Sequence, residues 1–123
     1  IYAGPKETLQ NSISLFKSVA SENGREEKKL EITTACPPVV GLTKESVDNS
    51  LISAAKALIQ PEDEIAKNWQ DRSYLYGTPE DVVKTLSMWQ EVGIEAVYLQ
   101  LLDLEQSKRD ESVEVIQKAI NLL

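Results

Sequence analysis

This chain of 123 residues reads as an α/β protein in which helices join parallel strands. Three observations carry that prediction. The first is a helix signposted at both ends: Thr78 as N-cap, Pro79 at the first position, Glu80 and Asp81 in the first turn, Gly93 at the close. Proline's missing N–H is not needed there, carboxylates favour the positive end of the helix dipole, and glycine takes the turn that ends a helix. The second is the run Ala96-Val97-Tyr98-Leu99-Gln100-Leu101-Leu102, apolar on both faces, the pattern of a strand covered on both sides by helices. The third is an alternation of strand-like and helix-like stretches, repeated about four times, which implies a parallel sheet with right-handed crossovers.

Ile1 to Ala3 reads as the tail of a strand, stopped by Gly4-Pro5. Leu9, Ile13, Phe16 and Ala20 then recur at helical spacing, and Asn23-Gly24 ends that helix. Arg25 to Lys29 is a charged surface loop, and Leu30 to Val40 is the second strand region. Pro37-Pro38 removes two ladder donors, so this strand must bend or end near Pro37. Thr43 with Ser46 makes a partial capping box before the stripe Val47, Leu51, Ala54 and Leu58, and Pro61 terminates the helix. Ile65 and Trp69, four apart in an acidic stretch, predict a short helix, and Ser73 to Tyr76 a short strand. The helix from Thr78 buries Val82, Leu86 and Trp89, and a last helix follows the apolar run with a stripe at Val113, Ile116, Ile120 and Leu123. Gly4-Pro5-Lys6-Glu7 and Gly77-Thr78-Pro79-Glu80 form a faint internal echo. An open doubly wound sheet and a barrel segment both satisfy this order.

Composition narrows the function classes. A net charge of −7 opposes binding to nucleic acid and to anionic membrane, since both present phosphates. The chain has no histidine, which removes the commonest general base and metal ligand, and one cysteine, so neither an internal disulfide nor a cysteine metal cluster can form. No metal is expected. Cys36 lies in an apolar run, where a buried inert thiol is the commoner reading. No apolar run reaches the roughly 18 residues of a membrane span, and a reducing cytoplasm fits best. The chain opens Ile1-Tyr2-Ala3-Gly4 and its one methionine is Met88, so a processed start or a fragment of a longer chain is expected.

Tyr74-Leu75-Tyr76-Gly77-Thr78-Pro79-Glu80-Asp81-Val82-Val83 resembles the G-[ST]-P-E-[ED]-V segment of the luciferase-like flavin and deazaflavin oxidoreductases. Trp89-Gln90-Glu91-Val92-Gly93-Ile94-Glu95 is similar to that family's "EAGVD", and Val97-Tyr98-Leu99-Gln100 to its "hILQ" strand; Asp103-Leu104-Glu105 also fits. More loosely, Ser21 to Arg25 resembles "AAEAGR", and Val39-Val40-Gly41-Leu42-Thr43-Lys44-Glu45 resembles "VIVGRTEEEA". The resemblance is specific over Gly77 to Glu105. It implies a single-domain partial (β/α) barrel, about four parallel strands forming the C-terminal half of an eight-stranded TIM-type barrel of roughly 250 residues. It also implies FMN or a deazaflavin as cofactor, and a chain that does not catalyse alone because the N-terminal half of the barrel carries much of the substrate pocket.

Candidate groups follow from helix ends and strand ends. Gly77 and Thr78 open a helix after a strand, where free N–H groups and the helix dipole favour a cofactor phosphate; a plain N-cap is the commoner reading. Gln100 and Asp103 stand at the C-terminal end of the last strand, where barrel enzymes keep functional groups. Gln100 requires a hydrogen-bond partner if buried, and Asp103 could equally cap the final helix. Tyr74, Tyr76, Tyr98, Trp69 and Trp89 could wall a flavin ring but are more commonly core. No catalytic acid–base pair is discernible; the clustered carboxylates lie in charged loops. Half a barrel leaves two sheet edges and an apolar face to cover, so a homodimer is the expected partner arrangement, two sets of about four strands closing a barrel. A small self-associating module without catalysis is the alternative reading.

Overall fold

A computed structural model describes residues 3–26 and 30–123. Ile1 and Tyr2 of the first expected strand, and Glu27 to Lys29 of the charged loop, lie outside the described residues; Ala3 itself is not in a strand. The elements run α1 (Lys6–Glu22), β1 (Thr33–Cys36), β2 (Val39–Val40), α2 (Lys44–Leu58), α3 (Glu62–Asp71), β3 (Tyr76–Gly77), α4 (Pro79–Val92), β4 (Ala96–Leu99) and α5 (Gln106–Asn121). The α/β class and the parallel pairing follow the sequence.

Strands β1 and β2 are the two halves of the strand region over Leu30–Val40, parted at Pro37-Pro38 where the ladder loses its donors. β1 pairs in parallel with β4, Thr33 opposite Ala96 and Cys36 opposite Leu99. β2 pairs in parallel with β3, Val39 opposite Tyr76 and Val40 opposite Gly77. The carbonyls of Ile32 and Cys36 accept from Glu95 and Gln100, whereas the N–H groups of Val39 and Gly41 donate to Leu75 and Gly77. Even residues thus serve one neighbour and odd residues the other, the alternation that sends them to opposite edges of an extended chain. The break is held by Trp69, whose indole Nε1 donates to the Pro37 carbonyl at 2.7 Å.

The described residues hold four short parallel strands, of which β1 and β2 make one broken strand with a neighbour at each end. The parallel α/β arrangement is that of a barrel fragment; a barrel is not formed by the described residues. Ser73 turns left-handed at φ 52° and α4 opens at Pro79, so β3 holds only Tyr76 and Gly77. β4 pairs with β1.

The helices largely obey their patterns. Thr43 and Ser46 form a full reciprocal capping box rather than a partial one: the Ser46 N–H donates to Thr43 Oγ1 at 3.2 Å and the Thr43 N–H to Ser46 Oγ at 2.9 Å. Val47, Leu51 and Ala54 are buried on α2, Ile65 and Trp69 on α3, and Val82, Leu86 and Trp89 on α4. The main core joins Leu9 and Ile13 of α1 to Ile32, Cys36, Val40, Leu75, Val82, Trp89 and Val115, each large aliphatic contributing roughly 1.5–3 kcal/mol. A second cluster packs Val39 with Leu51, Ala54, Ile65 and Trp69.

Three expectations fail, all in one direction. Phe16 on α1 is exposed while Leu9 and Ile13 are buried. β4 is not covered on both faces: Ala96, Val97 and Leu99 are half-buried and Tyr98 is 66% exposed. On α5 the buried face is Ser112, Val115, Ile116 and Ala119, so Ile116 alone of the expected stripe is covered and Val113, Ile120 and Leu123 face outward.

Candidate functional site

Parallel strands deliver their C-terminal ends to one side, and the helices that follow begin there. Pairing of β2 with β3 brings two helix starts together: the Gly41 N–H donates to the Gly77 carbonyl at 3.2 Å, with α2 opening three residues after Gly41 and α4 one residue after Thr78. Both glycines are required by proximity. A Cβ on Gly41 would lie 2.5 Å from the Val47 nitrogen, and one on Gly77 would lie 2.5 Å from Asp81 Oδ2. Gly77 also has φ 110°, where side chains are strained.

The start of α4 carries its own anion. Asp81 Oδ2 accepts from both the Thr78 N–H and the Thr78 hydroxyl, each at 3.1 Å, and Glu80 adds a second carboxylate to the first turn. The helix dipole is thus already answered by charge from within the helix. An external phosphate would have to displace Asp81 before Thr78 could donate to it.

Gln100 is exposed, so its amide needs no protein partner, and its backbone N–H donates to the Cys36 carbonyl at 3.1 Å. Asp103 does not cap α5. Glu105 occupies the N-cap without a side-chain bond, and Arg109 reaches back to the carbonyls of Asp103 and Leu104 at 2.8 Å each. Gly77, Thr78 and Gln100 line none of the cavities described below, which are walled by other residues. Cys36 is 0% exposed, and burial pushes its thiol up to about 12 although the Leu75 N–H donates to its sulfur at 3.3 Å. It is an inert core thiol. Among the described residues no three histidine, cysteine, aspartate or glutamate side chains converge as metal ligands.

Two cavities adjoin Asp103 between α2 and α5, of about 190 and 300 Å³, sharing Lys108. Lys108 donates to Ser53 Oγ at 3.4 Å and lies 3.8 Å from Glu105. The largest cleft, about 490 Å³, lies between the α3–β3 turn and α4 and is lined by Gln70, Ser73, Tyr74, Tyr76, Asp81, Lys84, Thr85 and Met88. Burial first, and the charge of Asp48 second, raise the Tyr76 phenol above its ordinary value, so it stays a neutral donor. Tyr74 packs edge-on against Trp69, ring centres 5.3 Å apart at 81°. Of the aromatic residues considered for a flat wall, Tyr74 and Tyr76 thus border a cleft, Trp69 and Trp89 are core, and Tyr98 faces outward. Lys84, Thr85 and Met88 were not among the candidates. A signal existed, since Asp81, Lys84, Thr85 and Met88 recur at helical spacing beside the apolar stripe.

No known family profile matches the sequence, and no curated protein does. The fold has a solved counterpart. It is similar to an F420-dependent secondary alcohol dehydrogenase in complex with an F420-acetone adduct, with a TM-score of 0.64 and 20% identity. The match covers 95% of this chain and 41% of that one. At this identity the likeness is one of fold. No helix of the described residues is long and apolar enough to cross a membrane.

Proposed function

We propose that this chain forms part of a luciferase-like oxidoreductase that uses a deazaflavin, or FMN, and that it supplies one wall of the cofactor site without catalysing alone. The observation that carries the reading is the fold match over nearly the whole chain to less than half of a deazaflavin-dependent enzyme. Hydride chemistry belongs to such a cofactor, and the protein's part is to hold and orient it. On this reading Gln100, exposed at the end of β4, faces the cofactor, and Gly77 and Thr78 border it. The Asp81 cap makes the last two a poor cradle for phosphate unless it opens, so they act by shape. A reducing cytoplasm is the proposed location.

The test is a titration of the purified protein with a deazaflavin and with FMN, followed by cofactor fluorescence. A saturable change that Gln100→Ala weakens, without turnover, is the expected result. Unchanged fluorescence with both cofactors overturns the reading.

A homodimer is proposed with it. β4 has an unpaired edge among the described residues, and beside it lies a groove of about 180 Å³ lined by Leu86, Trp89, Ile94, Ala96, Val97, Ile120 and Leu123, with the polar Gln90 and Glu95. The indole N–H of Trp89 is buried and has no partner among the described residues. A second copy would cover this face. Each copy carries −7, so association should strengthen as salt screens the repulsion. Sedimentation velocity at low and high ionic strength checks this, and a monomer at both rules it out.

A further inference from the structure

Asn23-Gly24 closes α1 and has no part in the reading above. We propose that it is a site of self-modification: the Gly24 backbone nitrogen attacks the Asn23 carboxamide, and hydrolysis of the resulting imide leaves aspartate or isoaspartate at position 23. Water is the one co-reactant.

The reaction uses the nitrogen of the residue after asparagine, and glycine hinders it least because it has no Cβ. The sequence holds five asparagines, and Asn23 is the one followed by glycine. Asn11, Asn49, Asn68 and Asn121 precede residues with side chains and sit within helices. Asn23 and Gly24 are exposed, and nothing lies within 4 Å of where a Gly24 Cβ would stand, so no neighbour shields the pair. In the first step a bond forms from the Gly24 nitrogen to Asn23 Cγ and the Cγ–Nδ2 bond breaks. Ammonia leaves with the proton of the Gly24 N–H. Water then opens the five-membered imide. Attack at Cγ gives aspartate; attack at the main-chain carbonyl gives isoaspartate, in which the backbone runs through Cβ and Cγ. Nothing is oxidised or reduced.

The fold sets the pace. Gly24 stands at φ 73° in a Schellman turn: its N–H donates to the Ser21 carbonyl at 3.0 Å, and the Arg25 N–H to the Ala20 carbonyl at 2.9 Å. Asn23 Nδ2 donates to the Val19 carbonyl at 2.7 Å. Both reacting groups are thus tied to the last turn of α1, and attack waits for that turn to fray, the least stable kind of helical segment. The product then unties it. Isoaspartate lengthens the main chain by one carbon just before Gly24, and either product sets a carboxylate where an amide donated, at the negative end of the helix dipole.

The test is incubation of the purified protein in mildly alkaline buffer, native and in urea, followed by intact mass and peptide mapping. The native protein should gain the mass of one amide-to-acid exchange, confined to the fragment that carries Asn23 and divided between aspartyl and isoaspartyl forms. Two hydrogen bonds of ordinary net strength should hold the native rate about tenfold below that of the unfolded chain. Asn23→Ser should lose the gain in both states, and amide exchange at Gly24 and Arg25 should quicken in the converted protein. The proposal is overturned if the native protein gains no mass, if the gain maps to another asparagine, or if it survives Asn23→Ser. Equal rates in the native and unfolded chains, or unchanged amide exchange after conversion, overturn it as well.

Discussion

Gly77→Ala separates a glycine kept for the fold from one kept for a ligand. A Cβ at this position would lie 2.5 Å from Asp81 Oδ2, 2.7 Å from Asp81 Cβ and 3.0 Å from Asp81 Cγ, at a φ of 110°. Holding alanine in that backbone region costs about 1–3 kcal/mol. The clash also pushes out the carboxylate that accepts from the Thr78 N–H and hydroxyl, and a lost cap costs about 1 kcal/mol more. The sum is about 2–4 kcal/mol. At about 4 °C per kcal/mol for a domain of this size, the melting temperature should fall by about 8–16 °C. Urea denaturation followed by the fluorescence of Trp69 and Trp89 gives the free energy directly. Asp81→Ala alone should cost about 1 kcal/mol. The double variant should cost less than the sum of the two, because Oδ2 and Cγ are then gone although Cβ remains. A loss below about 1 kcal/mol for Gly77→Ala, or strict additivity in the double variant, would refute the steric account. Full stability with loss of cofactor binding alone would return Gly77 to the role of a phosphate donor.

Three further outcomes follow from buried and strained groups. Cys36 should resist thiol reagents in the folded protein. Its thiol is raised from 9.0 to about 12, so between those values only the unfolded thiol ionises; stability is whole below pH 9 and falls by about 1.4 kcal/mol per pH unit above it. Denaturation curves from pH 8 to 10.5 should show this extra slope in the parent and not in Cys36→Ala, and equal slopes would count against it. Trp69→Phe removes the 2.7 Å bond to the Pro37 carbonyl and leaves that acceptor short of a partner, which should cost about 1–3 kcal/mol in urea denaturation. Ile59 sits at φ 54° and is 92% exposed, so Ile59→Asn relieves left-handed strain without losing packing. It should raise stability by about 1 kcal/mol, seen as a higher melting temperature.

Local signals were the legible part of the fold. Thr78, Pro79 and Gly93 mark α4 correctly because caps depend on a few neighbouring atoms. Pro37-Pro38 marks the strand break because a missing N–H is a property of the residue itself. What pairs with β4 is a long-range matter and was not legible, since its partner β1 lies about 60 residues earlier in the chain. The candidate site divides the same way. That Thr78 is an N-cap could be read, but whether its donors are free depends on which oxygen Asp81 turns inward. The cleft of Tyr76 and Lys84 joins residues of the α3–β3 turn, where Ser73 is left-handed, to residues of α4, a juxtaposition that depends on tertiary packing.

The misjudged elements share a direction that random errors of periodicity would not. An error in phase should expose one residue and bury its neighbour elsewhere, with no common site. Phe16 on α1, Tyr98 on β4, Val113 and Ile120 on α5 and Leu123 beyond its end are all side chains expected inside and found outside. Ile120 and Leu123 border the same groove as Ala96 and Val97 of β4, and the groove floor includes Trp89, whose N–H has no partner among the described residues. Of the outward residues, Ile120 and Leu123 lie at this groove, and Phe16, Tyr98 and Val113 do not line it. The solved counterpart is matched over 41% of its length, so there the same fold is accompanied by a further 59% of chain. Two-sided burial of β4 was a sound reading of its composition; what it lacked was the second layer. Whatever supplies that layer, a second copy on our proposal, must bring apolar surface for Ile120 and Leu123.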